Sequence, residues 1–175
     1  MLDQELIVRA ICAATEEVFA TMLGAEIVVD SGARSDPESG LMALVGLTGN
    51  WSGAGTLSCS PALGNRAAST MFMSDPAADP TAINDEVLDA VAELTNMVIG
   101  NIKNSLEHHL GPMAISIPSV IYGRNFHFRS LTGKVIANVA FRWNSEPLEV
   151  KVVLAPSSDQ EGTTRLRGAV MALSH

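Results

Sequence analysis

The chain has 175 residues, 47% of them hydrophobic, which is enough for one ordinary core and too few for two comfortable domains. Charged residues make up 17%, below the usual quarter, so the surface is sparsely charged and leaves room for a covering partner. A net charge of −8, with "RLR" at 165–167 as the densest basic spot, argues against nucleic acid or an anionic membrane as the main partner.

The start "MLDQELIVRAICAATEE" lacks the basic n-region and long apolar core of a signal peptide. Polar residues interrupt every apolar run before membrane-spanning length, so no membrane insertion is expected. Cys12 and Cys59 form no CxxC and no disulfide framework. The expectation is a reduced, cytoplasmic protein.

In chain order, residues 3–23 read as a helix, with Ile7, Ile11, Ala14, Val18 and Met22 on one face and Gly24 as its stop. "AEIVVD" (25–30) reads as a strand and "SGARSDPES" (31–39) as a loop. "LMALVGLT" (41–48) and "GAGTLSCS" (53–60) predict a hairpin that turns at "GNWS". Ser60-Pro61 gives an N-cap followed by proline at the first helical position, opening a helix to about Met73. "SDPAADP" (74–80) is a second loop. Asp79-Pro80 then repeats the cap-and-proline opening, and a long helix is predicted from about Thr81 to Leu110, before Gly111-Pro112. Strands follow at about 113–121, 133–143 and 147–154, and the final stretch leaves room for a short helix around 162–173.

Both halves therefore read helix, three strands, helix, and the ends of the leading helices match: "LGAEIVV" (23–29) against "LGPMAISI" (110–117). The prediction is an α+β fold: a duplicated helix–three-strand–helix unit forming one mainly antiparallel six-stranded sheet, with helices over one or both faces.

The long helix carries the chemistry. At roughly 100° per residue, Val87, Val91, Leu94, Val98, Ile102 and Leu106 form a buried stripe. Glu86, Asp89, Glu93, Asn96, Gly100, Lys103 and Glu107 form a second stripe. Glu93 and Asn96 are three apart, so their side chains lie together. Gly100 removes bulk from the same surface, and a glycine inside an exposed helix more often marks close approach of another backbone than indifference. With 11 Glu and 9 Asn in the chain, one Glu-x-x-Asn pair is no surprise, and a solvated helix face is the ordinary reading of the pair alone.

The surrounding pattern changes that reading. Asp89-x-x-x-Glu93-x-x-Asn96 resembles the active-helix motif of the CheC/CheX/FliY family of bacterial chemotaxis phosphatases: Asp or Ser, three residues, Glu, two residues, Asn. "NMVIGNIKNSL" and "TGNWSGAGTLSCS", the latter followed by a helix ending in Met, also look like the family. Pro118 lies near the place where the family carries a proline, some twenty-odd residues after the Asn. The resemblance covers about residues 1–155, expected to be one CheX-like domain, with 156–175 as a C-terminal tail.

The resemblance implies a phosphatase of phosphorylated CheY-like response regulators, with Glu93 and Asn96 as catalytic residues and Asp89, Gly100 and Lys103 on the partner-binding surface. Asn96 orients the attacking water through its amide, and Glu93 pairs with the receiver's lysine. The receiver domain supplies Mg²⁺, so no cofactor of its own is expected. Aligned by its terminal "LG", the first helix offers Leu6 and Arg9 where the second has Glu93 and Asn96, which favours a CheX-like, single-site member. Such members are typically dimers, and a homodimer is expected. The alternative is an adaptor that kept the fold without the chemistry, as in flagellar-switch relatives.

Other constellations carry less. His108-His109 lack Glu-x-x-His or His-x-x-x-His spacing and read as a helix-end pair. Asp85, Glu86, Asp89 and Glu93 lack a matching set elsewhere and read mostly as favourable charge in the helix's N-terminal half, so no metal site is expected. "GNWSGAG" lacks the Lys-Ser/Thr of a phosphate loop, and no Gly-x-Ser-x-Gly occurs. Cys59 is expected to pack inside. Trp51 near the hairpin tip is either an exposed contact point or folds back onto the core.

Overall fold

The computed structural model describes residues 3–30, 32, 40–123 and 135–157. The elements in order are α1 (Gln4–Leu23), β1 (Val28–Val29), β2 (Gly40–Gly49), β3 (Trp51–Cys59), α2 (Pro61–Phe72), α3 (Asp85–Leu110), β4 (Met113–Ile115), β5 (Ser119–Gly123), β6 (Val135–Trp143) and β7 (Glu146–Pro156). Residues 133–134, most of the 31–39 loop and the tail helix expected around 162–173 lie outside the described residues.

The sheet is antiparallel throughout, with strand order β1-β6-β7-β3-β2-β4 and β5 also pairing β2. In each half the first strand pairs with the second strand of the other half, and the third strands, β3 and β7, meet in the middle. That exchange is what a duplicated unit related by a pseudo-twofold axis produces. The helices agree: Ile7, Ile11, Thr15, Phe19 and Leu23 of α1 are buried, and so are Leu94, Val98, Ile102, Leu106 and Leu110 at the corresponding places of α3.

Inward residues alternate along the strands. Ala43 pairs with Leu57, Leu57 with Val150 and Val150 with Val139, and all four are buried. The described helices lie on this same face. Gly55, on that face of β3, sits so close to α3 that an added Cβ would lie 2.4 Å from the Ile99 Cδ1, so only glycine lets α3 settle at this depth. Phe19 of α1 meets the Trp143 ring edge-on at 5.8 Å.

The six-strand expectation is corrected to seven. The predicted strand at 113–121 splits into β4 and β5 around Ser116, Ile117 and Pro118, because proline has no N–H for the ladder. The 25–30 strand shrinks to Val28 and Val29, opposite Arg142 and Phe141. On α1, Met22 is 37% exposed and Phe19 fills the core in its place.

The start of α3 is also corrected, from Thr81 to Asp85. Asn84 is the cap, accepting a hydrogen bond from Val87 N–H at 3.0 Å. Asp79 instead closes a turn, its carboxylate accepting from the Thr81 N–H at 2.9 Å and hydroxyl at 2.7 Å. What ties this turn to the fold is Asn65 of α2, 8% exposed, whose amide donates towards Pro61 O (3.1 Å), Pro80 O (2.9 Å) and Ala82 O (2.7 Å). An NH₂ has two hydrogens, so one is shared among these three carbonyls. Asn65→Ala is expected to destabilise the protein by about 2–3 kcal/mol, through lost carbonyl partners and an unfilled site. Chemical denaturation checks this, and a change below about 0.5 kcal/mol would count against the anchor.

The other end of α3 is fixed by glycine. Gly49, at φ 152°, lies against the turn after the helix, where an added Cβ would overlap the Pro112 carbonyl oxygen at 2.3 Å. The hairpin tip thereby clasps the helix end. Trp51 is half-buried and packs against the core, and Cys59 is buried, its thiol pushed up to about 12 by loss of solvation and the nearby Glu146.

Candidate active site

α3 is held on its inner side by Val87, Val91, Leu94, Val98, Ile102 and Leu106, each at most 2% exposed, as the periodicity predicts. That rotation sends the polar stripe outward. Asp89 and Glu93 are exposed, and Asn96 and Gly100 are half-buried. Among the described residues, the side chains of Asp89, Glu93 and Asn96 make no hydrogen bond or ion pair, whereas neighbouring Thr95 spends its hydroxyl on the Val91 carbonyl at 2.7 Å. The stripe thus presents a carboxylate and an amide three residues apart, on a rigid helix, with their bonding capacity unspent.

Lys103 stands apart from this group. Its ammonium binds the Glu107 carboxylate at 2.9 Å and the Met113 carbonyl at 3.3 Å, and its side chain is only 18% exposed. Glu107 also accepts from Met113 N–H at 3.0 Å. The Met113 N–H and then the Lys103 ammonium hold the Glu107 carboxyl below its ordinary range. This cluster staples the last turns of α3 to β4. Its contribution is present above the ordinary carboxylate pKa and is lost as pH falls through the lowered one.

Among the described residues, no other backbone approaches Gly100. An added Cβ would meet only the Ile115 Cδ1, at 3.9 Å, an ordinary contact. The glycine leaves a shallow recess between α3 and β4.

On α1, Leu6 is half-buried and packs against the core, and exposed Arg9 pairs with Glu5 at 3.4 Å. A carboxylate–amide pair is therefore lacking at the place that matches Glu93 and Asn96. Asp85 and Glu86 occupy the first turn of α3, where the helix dipole favours negative charge. Among the described residues no three His, Cys, Asp or Glu side chains come together as a metal site. No described helix is long and apolar enough to cross a membrane.

Two supports of the site escape sequence reasoning: Asn65, which sets where α3 begins, and the Gly49–Pro112 contact, which sets where it ends. A buried amide in the preceding helix, 19 residues before the Asn84 cap, is a signal only once the loop between them is known to fold back. A convex helix face of this kind suits insertion into a cleft of another macromolecule better than capture of a small molecule.

Comparison with known proteins identifies the fold and the family. Residues 41–142 match the family model described as "Chemotaxis phosphatase CheX". The fold is similar to the chemotaxis protein CheX of Vibrio vulnificus, with 22% identity, 89% of this chain and 100% of that one covered, and a TM-score of 0.74. It is similar to CheX in the CheX–CheY–BeF3–Mg²⁺ complex from Borrelia burgdorferi, with 21% identity, 84% and 96% covered, and a TM-score of 0.66. It is also similar to Thermotoga maritima FliY, with 18% identity, 89% and 90% covered, and a TM-score of 0.65. Among curated protein sequences none matches.

Proposed function

Because the chain belongs to the CheX family of chemotaxis phosphatases, we propose that it hydrolyses the phosphoaspartate of a CheY-type receiver domain through Glu93 and Asn96. The observation that carries this reading is their placement: side by side on a helix fixed at both ends, outward-facing, with no partner among the described residues. A crystal structure from Borrelia burgdorferi holds CheX together with CheY, BeF3 and Mg²⁺. By analogy we place the Mg²⁺ with the receiver and the reaction in the cytoplasm.

The chemistry asks little of the phosphatase beyond positioning. Water oxygen attacks phosphorus in line, the bond from phosphorus to the aspartyl oxygen breaks, and the products are inorganic phosphate and the free carboxylate. Asn96 accepts a hydrogen bond from the water through its amide oxygen and donates through its NH₂, holding the lone pair on line without adding charge. Glu93, forming an ion pair with the receiver's lysine, fixes the angle at which α3 enters the site. Asp89, one turn earlier, extends the docking face. Lys103 acts on this reading mainly as a staple of α3, with partner contact secondary.

Gly100 separates fold from function. A methyl group there meets no obstacle among the described residues, so Gly100→Ala is expected to stabilise the protein by about 0.5–1 kcal/mol and to weaken receiver docking several-fold. Thermal melting beside a binding titration checks both signs. A destabilised variant with unchanged docking would assign the glycine to the fold instead.

The sheet edges bear on assembly. β1 exposes Val28 (66%) and Val29 (49%), and β5 exposes Ile121 (44%) and Tyr122 (57%); among the described residues neither edge is covered. Apolar edges of this kind pair with another chain unless protected. A homodimer is the expected state, and light scattering should give about twice 18.4 kDa at tens of micromolar. A mass near 18.4 kDa would count against it. Direct proof of the activity is acceleration of phosphate release from a phosphorylated receiver when the protein is added.

A further inference from the structure

Between β4 and β5 the chain carries one residue more than the strand it pairs with. Ile115 stands opposite Leu47 and Ser119 opposite Leu44, so Ser116, Ile117 and Pro118 together face Val45 and Gly46. This is a bulge, and it is built firmly. Ser116 N–H donates to the Gly46 carbonyl at 2.9 Å, while its hydroxyl accepts from Gly46 N–H at 2.9 Å and donates to the Ile117 carbonyl at 2.8 Å. Pro118 has no N–H to leave unpaired. At the apex Ile117 is 87% exposed, with Ile115 beside it at 36%.

A single exposed isoleucine needs no explanation. Its position beside the polar pair does. β4 runs back along α3, with Met113 tied to Glu107 and Lys103, and Ile115 next to Gly100. A strand advances about 3.3 Å per residue and a helix about 1.5 Å, so two residues past Ile115 correspond to roughly one helical turn. Ile117 therefore lies beyond Ile115 in the direction of the Asn96 end of α3, on the far side of Ile115 from Met113. Bulges recur next to functional sites because they re-aim a side chain.

The polar pair is too small to hold a partner alone. A specific complex covers about 800 Å² on each side, with apolar anchors at its core and polar groups around them. We infer that Ile115, Ile117 and the Gly100 recess form an apolar ledge that seats the receiver domain's surface beside its phosphorylated aspartate. This inference rests on the reading of Glu93 and Asn96 as the catalytic pair. Ile117 binds without touching the reacting atoms, so it sets affinity and selectivity and leaves the chemical step unchanged.

The test titrates Ile117→Asp against a CheY-type receiver from the same organism, activated with beryllofluoride and Mg²⁺, the beryllofluoride standing in for the phosphoryl group. Affinity should fall about tenfold or more, while phosphate release at saturating phosphorylated receiver stays within about twofold of wild type. Ile115→Ser should weaken binding in the same direction, and melts of both variants guard against misfolding. Wild-type affinity in both variants overturns the ledge. So does a variant that drops to a mass of 18.4 kDa with affinity unchanged, since the ledge then belongs to the contact between copies. If wild type never accelerates hydrolysis and Ile117→Asp still weakens binding, the phosphatase reading fails and the ledge stands.

Discussion

Asn96→Ala should slow receiver dephosphorylation by about 10²-fold, the usual cost of losing one positioned polar group at a reacting centre. Binding should barely change. A neutral amide that orients water acts in the transition state, so removing it lowers kcat and kcat/KM together and leaves the ground-state complex intact. The fold should tolerate the change, because Asn96 lies off the buried stripe and its side chain bonds to nothing among the described residues. Asn96→Asp is a useful companion. It keeps the shape and adds a negative charge facing the phosphoryl oxygens, so it should be at least as slow as the alanine variant.

Glu93→Ala should behave differently, weakening both docking and turnover. An ion pair to the receiver's lysine is desolvated as the helix seats, and truncating one partner leaves the other charge unpaired, with an expected loss of about tenfold or more in affinity. The loss should shrink as salt rises, since screening weakens the wild-type pair more than the truncated one. Glu93→Gln separates charge from shape, and recovery of wild-type affinity in that variant would exclude the ion pair. Stability should again be unaffected, since Glu93 is exposed. The two residues thus divide cleanly: one moves kcat, the other also moves KM and its salt dependence.

Much of this molecule was legible in the residues because its rules are periodic. The spacing of Val87, Val91, Leu94, Val98, Ile102 and Leu106 fixes which side of α3 faces the sheet, and so which side carries Glu93 and Asn96. The duplication was legible as an order of elements. The exchange of first strands between halves was not, since pairing partners come from tertiary packing. Helix ends misled where a turn imitates a cap: Asp79-Pro80 has the right residues, yet Asn84 wins because Asn65 pulls Pro80 and Ala82 into a preceding loop. Lys103 sits on the predicted stripe, but helical spacing is blind to Met113, which reaches it from the next strand. Gly100 gave a true signal with a wrong cause. The space it leaves is real, and no backbone among the described residues fills it.

In the proposed reaction α3 brings a water-positioning amide to another protein's acyl phosphate. The most direct measurement follows phosphate release from a phosphorylated CheY-type receiver with wild type, with Asn96→Ala and with no phosphatase, and melts run on both proteins. Wild type should clearly accelerate release, Asn96→Ala should lose about 10²-fold of that acceleration, and the melts should match. Release with wild type that never exceeds the receiver's own rate, together with early melting of Asn96→Ala, would contradict it: Asn96 would then serve the fold, and the protein would act as an adaptor.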